Sequence, residues 1–232
     1  MNHFLAHRQD AKRGFLNESD SHHALRVLRL KIDDTISVSF GDGLVYSARI
    51  ISLDKKNCVF ELIEERRKES PSKLHIAIAP TKSNDRLEWF LEKAVELGIA
   101  SIQLLVCEHS ERKVYKTDRG ERIIESAFKQ SHKGFMPKLK PVLKIKDFLK
   151  KSLPSQRLVA SLNDGPKVNL GEVNIKEECL VLIGPEGDFS SSEIELLQAH
   201  GFQHLNLGAE VLRTETAAVH VASIFNFQSQ EA

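Results

Sequence analysis

Two turns near the carboxyl end hold the residues best suited to chemistry, Gly184-Pro185-Glu186-Gly187-Asp188-Phe189 and Leu207-Gly208-Ala209-Glu210-Val211-Leu212-Arg213-Thr214. Each follows a short apolar run and leads into a helical pattern, and Arg213 is the only Lys or Arg after Lys176. Ligands of α/β sheets sit at the carboxyl ends of strands, where glycine lets the backbone approach and the next helix offers free N–H groups. An isolated cation there suits stabilisation of negative charge. Gly184 and Gly187 relieve a tight backbone path and Pro185 stiffens it, which favours a rigid wall against a flat ligand. Neither GxxxxGK[ST] nor GxGxxG occurs in the chain, so nucleoside triphosphates and nicotinamide cofactors lose support. On these residues alone, a plain strand-to-helix turn is the other reading.

The elements that must position these turns follow from the hydrophobic pattern. With 232 residues, 41% of them hydrophobic, the chain can build one large domain or two modest ones. It divides at Ser70-Pro71-Ser72. Before that point the runs TISVSF, LVYSARIISL and NCVFELIEE, separated by turn residues, predict a small β-barrel. A helix precedes them in HHALRVLRL, with Ser19 or Ser21 as its cap and Leu25, Val27 and Leu28 as its apolar residues. After the boundary, strands alternate with helices. KLHIAIAP, SIQLLVCE, RLVASL, CLVLIG and FQHLNLG are the strands, and DRLEWFLEKAVELG, GERIIESAFKQ, residues 192–200 and residues 215–228 are the helices. An α/β domain with a largely parallel sheet is expected over residues 71–232, beside a β domain over 1–70. Ser190 and Glu193 have the spacing of a capping box. Trp89 falls on the amphipathic second helix and reads as core.

Composition excludes several classes. No apolar run approaches the roughly 20 residues that span a bilayer, and MNHFLAHRQDAKRGF has no signal-peptide core, so a cytoplasmic protein with no membrane partner is expected. Cys58, Cys107 and Cys179 form no CxxC pair and suggest neither disulfides nor zinc. His22-His23 are adjacent, and His200 and His204 flank Gly201, so no metal site is expected either. Net charge is only +1, yet residues 112–151 hold 13 Lys and Arg against four acidic residues, and from Arg157 onward there are four basic and 11 acidic. That asymmetry points to a polyanion met by one surface, the other reading being a solvated lysine-rich face.

LIGPEGDF followed by LNLGAEVLRTETAAVHV resembles the two carboxyl-terminal motifs of the SPOUT class of S-adenosylmethionine-dependent RNA methyltransferases. SDSHHALRVLRLKIDD, TKSNDRLEWFLEKAVELGI and KQSHKGFMPKLKPV are similar to the branch that methylates N3 of a uridine in 16S rRNA, and the likeness covers nearly the whole chain. Two departures stand out. Asp188 occupies a position where the family commonly has glycine, with a local shift of the turn as the expected consequence, and Ala209-Glu210 stand where a basic residue is common.

The resemblance implies a SPOUT-type trefoil-knotted α/β domain preceded by a PUA-like β-barrel, working as a homodimer on the 16S rRNA of the small ribosomal subunit, without a metal. Val219, Ile224 and Phe227 of the last helix are the candidate dimer contact, or plain core. It also implies that S-adenosylmethionine is held by Leu162 and Asn163, by Ile183, Gly184, Pro185, Glu186 and Gly187, and by Leu207, Gly208, Val211, Leu212, Thr216 and Ala217. Arg213 would stabilise charge on the uracil, and Glu215 and Glu186 would be proton acceptors or backbone caps. RNA phosphates would meet Arg8, Arg26 and Arg29 in the first domain and an arm carrying Lys129, Lys133 and Lys138. The rival readings are ribose 2′-O-methylation of tRNA or rRNA, and an RNA-binding or ribosome-assembly protein without catalysis.

Overall fold

The two hydrophobic patterns become two units in the computed structural model, which describes residues 2–70, 72–163, 165–173 and 177–230. One unit comprises Met1–Pro71 with Glu125–Met136, and the other Ser72–Ile124 with Pro137–Ala232. Pro71, in the Ser70-Pro71-Ser72 boundary, lies outside the described residues.

In the first unit, β1 (His3–Leu5), β2 (His7–Arg8), β3 (Arg13–Leu16), α1 (Glu18–Arg26), β4 (Thr35–Ser39), β5 (Leu44–Leu53) and β6 (Cys58–Lys68) follow in order. The strands form one sheet in the order β1-β4-β5-β6-β3-β2, antiparallel except for β1 beside β4. Register shifts between β5 and β6 mark bulges, which bend a sheet and sharpen its twist. Alternate residues turn inward, so Phe4, Leu16, Ile36, Val38, Ile50 and Phe60 share one core. Gly14 is glycine because an added Cβ would stand 2.6 Å from the Phe60 ring and 2.8 Å from the His7 carbonyl.

Two expectations fail here. The cap of α1 is Asn17, whose side chain accepts from Asp20 N, while Ser21 is turned inward to bond Leu16 O and Cys58 N. The helix stops at Arg26, leaving Val27 beyond it and 62% exposed. Asparagine is as good a cap as serine, so composition alone could not choose. The strands β1–β3 were also unforeseen, being too short to show a period.

Residues 125–136 join this unit through backbone groups that side chains satisfy. His3 Nε2 donates to Lys133 O at 3.0 Å, Ser39 Oγ to Gly134 O at 2.9 Å, and Glu69 Oε2 accepts from Gly134 N at 2.8 Å and Phe135 N at 3.0 Å. Burial lowers the His3 pKa to about 4, which keeps the ring neutral at neutral pH.

The second unit contains β7 (Leu74–Ile78), α2 (Asn84–Glu96), β8 (Ser101–Val106), the start of α3 (Thr117–Gln130), β9 (Lys138–Lys144), α4 (Ile145–Phe148), β10 (Gln156–Ala160), β11 (Val168–Asn169), β12 (Cys179–Ile183), α5 (Ser191–Ala199), β13 (Gln203–Asn206) and α6 (Thr214–Gln230). Its seven strands are all parallel, in the order β11-β13-β10-β12-β7-β8-β9. The sheet is buried on both faces, and all five residues of β12, CLVLI, are inaccessible, the pattern of a central parallel strand. One side packs Ala77, Leu105, Val159 and Leu182 against Phe148, Ile194 and Leu197 of α4 and α5. From β12 the chain crosses β10 to reach β13, and then returns as α6 onto β7, β12 and α2. These crossings put three strand-end loops, after β10, β12 and β13, side by side.

Strand β9 escaped the pattern because Lys138, Lys140, Pro141 and Lys144 break its hydrophobicity, as is common in an edge strand. Trp89 is not core, being 43% exposed on α2, whose buried stripe is Leu87, Phe90, Leu91, Ala94 and Val95. All three cysteines are buried free thiols, and burial raises the Cys58 pKa to about 11. No helix among the described residues is long and apolar enough to cross a membrane.

The expected capping box is present. Ser190 Oγ accepts from Glu193 N, and Glu193 Oε2 accepts from Ser190 N at 3.0 Å. Glu193 Oε1 also accepts from Glu108 N at 2.9 Å, so the box ties α5 to the end of β8. Ser190→Ala should lower unfolding free energy by about 1 kcal/mol, measured by urea titration, and Glu193→Ala should cost more because it releases two backbone donors.

Candidate active site

The loop after β12 is the centre of the site, because its turn is bonded to four neighbouring loops. Gly184 must lack a side chain, since a Cβ would stand 2.9 Å from the Phe189 ring packed beneath it. Thr214 Oγ1, at the start of α6, donates to Gly184 O at 3.1 Å. Glu186 Oε1 accepts from Lys82 N, after β7, at 2.9 Å. His109, after β8, has Nδ1 at 3.0 Å from Gly187 O and 3.1 Å from Asp188 O, so that nitrogen carries the proton and donates. Asp188 Oδ2 accepts from Leu162 N, after β10, at 2.8 Å. Arg112 reinforces the β7 loop by donating to Thr81 O at 3.0 Å and Lys82 O at 2.5 Å.

These ties enclose a cavity of about 290 Å³ at the carboxyl ends of β10, β12 and β13. Of the residues singled out from the sequence, Leu162, Ile183, Gly184, Pro185, Glu186, Leu207, Gly208, Val211, Leu212, Arg213 and Ala217 line it. Asn163, Gly187 and Thr216 are not among its lining residues. Glu215 is not either. It is 6% exposed, its Oε1 lies 3.8 Å from Arg86 Nε, and its Oε2 has no hydrogen-bond partner among the described residues. Asp188, Glu210 and Thr214 of the two turns line the cavity as well, whereas Ala160, Ser161, Lys167, Leu205 and Asn206 were missed by sequence reasoning. Alternation along RLVASL could have pointed to Ser161. Lys167 comes from a loop that only the fold brings near.

Leu162, Ile183, Leu205, Val211 and Leu212 give the walls apolar stretches, whereas Glu186, Asp188 and Glu210 supply carboxylates and Lys167 and Arg213 cations. Such a lining suits a flat heteroaromatic ring that carries a cationic centre and a carboxylate. Arg213 is exposed, and no carboxylate pairs with it among the described residues, so its guanidinium is available to a ligand. Among the described residues no group of three or more His, Cys, Asp or Glu could hold a metal ion.

The cations assigned to RNA are placed differently from one another. In the first unit, Arg26 and Arg29 are exposed. Arg8 lies 4.0 Å over the Phe40 ring and pairs with Asp42 at 3.1 Å. The charge of Lys129 is used internally, between Asp20 at 2.9 Å and Glu125 at 3.1 Å. Lys133 is half-buried, and exposed Lys138 belongs to β9 of the second unit.

A six-stranded β unit and an all-parallel seven-stranded sheet with a strand-end cavity agree with the two-domain RNA methyltransferase architecture that the family matches show. The RNA methyltransferase domain family matches residues 68–226, and the RNA methyltransferase PUA domain family matches residues 16–63. A probable rRNA-methyltransferase from Porphyromonas gingivalis is 34% identical, with a TM-score of 0.88 over 100% of both chains. A ribosomal RNA small subunit methyltransferase E from Neisseria gonorrhoeae, determined bound to S-adenosyl methionine, is 30% identical, with a TM-score of 0.82 over 99% of this chain and 98% of that one. The protein of the same description from Synechocystis is 31% identical over 87% of this chain and 69% of its own. The chain belongs to the RNA methyltransferase family, in the branch of ribosomal RNA small subunit methyltransferase E.

Replacing Thr214 by Val keeps the side-chain shape but leaves the buried Gly184 carbonyl without its donor. A loss of about 1–3 kcal/mol in unfolding free energy is expected by urea titration.

Proposed function

We propose that the chain transfers the methyl group of S-adenosylmethionine to N3 of a uridine in the 16S rRNA of the small ribosomal subunit. The observation that carries this reading is Arg213, an arginine without a carboxylate partner among the described residues, on the wall of a cavity that Leu162, Ile183, Leu205, Val211 and Leu212 also line. The S-adenosyl methionine bound to the Neisseria relative supports the cofactor, and the description shared by the curated relatives supports the RNA.

The bound cofactor supplies an electrophilic methyl group on a sulfonium. The protein's part is to place the acceptor and manage its charge. The apolar side chains of Leu162, Leu205, Val211 and Leu212 would hold the adenine ring of the cofactor. Glu186 and Asp188 hold the loops through Lys82 N and Leu162 N, and the charge of Glu186 complements a cationic centre. Uridine N3 lies on the Watson–Crick edge, so the base leaves its pairing to reach the cavity. As N3 loses its proton to solvent, negative charge spreads onto the uracil carbonyl oxygens, and Arg213 stabilises it. Glu215, in the first turn of α6 beside Arg86, complements the helix N-terminus rather than touching the reacting atoms.

Labour divides between residues 1–70, where Arg8, Arg26 and Arg29 hold RNA phosphates, and residues 71–232, which carry the chemistry. Lys133 and Lys138 extend the phosphate contacts, and Lys129 contributes through its packing. The working assembly is a cytoplasmic homodimer through the outer face of α6, where Phe227 is 59% exposed and Val219 and Ile224 are half-buried.

Titration calorimetry should show S-adenosylmethionine binding, and nucleoside mass spectrometry of unmodified small-subunit RNA or subunits should then show 3-methyluridine. A ribose-methylated product would replace the proposed acceptor, and no cofactor binding would overturn the reading. Arg213→Ala should keep cofactor affinity while turnover falls at least about tenfold, and unchanged turnover would remove Arg213 from the mechanism.

A further inference from the structure

Two walls of the cavity meet through one side chain. Asp188 adopts φ +60°, a conformation that L-residues rarely take, and from there its Oδ2 accepts from Leu162 N at 2.8 Å. The same loop is tethered at its preceding residue. Lys167 Nζ donates to Ser161 O at 3.2 Å, and Ser161 Oγ lies 3.0 Å from His204 Nδ1. His204 Nε2 in turn lies 3.0 Å from Gln198 Nε2, whose amide can only donate, so Nδ1 carries the proton and donates to Ser161 Oγ. Ser161, Leu162, Lys167 and Asp188 all line the cavity, and Leu162 is 63% exposed, so its own packing does little to hold it.

We propose that Asp188 is a positioning residue of the cofactor pocket, whose carboxylate fixes the 161–163 loop as one wall through the Leu162 amide. This deepens the functional reading above and rests on the cavity being the site of S-adenosylmethionine. A glycine at 188 would tolerate the turn equally well but could not reach Leu162 N, and the loop would lose its link to the GPEGDF turn. Asparagine would tolerate the same backbone angles and keep an acceptor oxygen without the charge. The two substitutions therefore separate backbone freedom, hydrogen bonding and charge.

The test is Asp188→Gly and Asp188→Asn in the full chain, with two readouts. In the ligand-free protein, hydrogen exchange at the Leu162 amide should accelerate at least about tenfold in Asp188→Gly and stay slow in Asp188→Asn. By calorimetry, Asp188→Gly should bind S-adenosylmethionine at least about tenfold more weakly, and Asp188→Asn within about threefold of the unsubstituted chain. Asp188→Gly should raise KM for the cofactor and leave kcat at saturation within about threefold, a split that general destabilisation would not give. Wild-type exchange and affinity in Asp188→Gly would overturn the proposal. So would an Asp188→Asn as defective as Asp188→Gly, because the effect would then belong to charge. If the unsubstituted chain took up no S-adenosylmethionine, the reading of the cavity would fall, and amide exchange alone would still decide whether Asp188 holds the loop.

Discussion

The site depends on how the GPEGDF turn meets the obligation of backbone groups to find partners. Beyond the carboxyl ends of parallel strands the ladder stops, and each exposed N–H and C=O must be satisfied some other way. Here side chains do it, and each one reaches across to a different loop. Glu186 takes Lys82 N, Asp188 takes Leu162 N, Thr214 bonds Gly184 O, and His109 bonds Gly187 and Asp188 O. The loops after β7, β8, β10 and β13 are therefore fixed relative to one turn. A cavity walled by strand-end loops can keep its shape only if those loops do not drift, and these bonds remove that freedom.

Charge follows the same logic. The excess of basic residues between 112 and 151 overstates what a polyanion would meet, because part of it is consumed within each unit. Lys129 is flanked by Asp20 and Glu125, Arg119 pairs with Glu88 at 2.6 Å, and Arg112 bonds the carbonyls of Thr81 and Lys82. Arg213 is the opposite case. It lies in an acidic stretch, yet no carboxylate holds it among the described residues, so the local sequence charge and the availability of the cation point in opposite directions.

Glu215 and Glu186 show why residue type is a weak guide to role. Both sit in motifs that look chemical, and both are carboxylates near the cavity. Glu186 spends one oxygen on a backbone amide at 2.9 Å. Glu215 is buried at the start of α6 beside Arg86 and does not line the cavity. Their positions along the chain gave no means of telling these situations apart.

The sequence by itself determined the strands and helices whose periods are long, the parallel class of the sheet, the capping box at Ser190 and Glu193, and the two turns that form the site. These are local properties, set by spacing of apolar residues and by glycine and proline. Motif likeness added the family, and with it most of the cavity lining. The tertiary structure alone decided what depends on neighbours distant in sequence. It placed residues 125–136 with the β unit through His3, Ser39 and Glu69, exposed Trp89, and inserted the charged edge strand β9. It also made Asp188 a tether rather than a substitute for glycine, since a hydrogen bond between residues 188 and 162 exists only once β10 and β12 lie side by side.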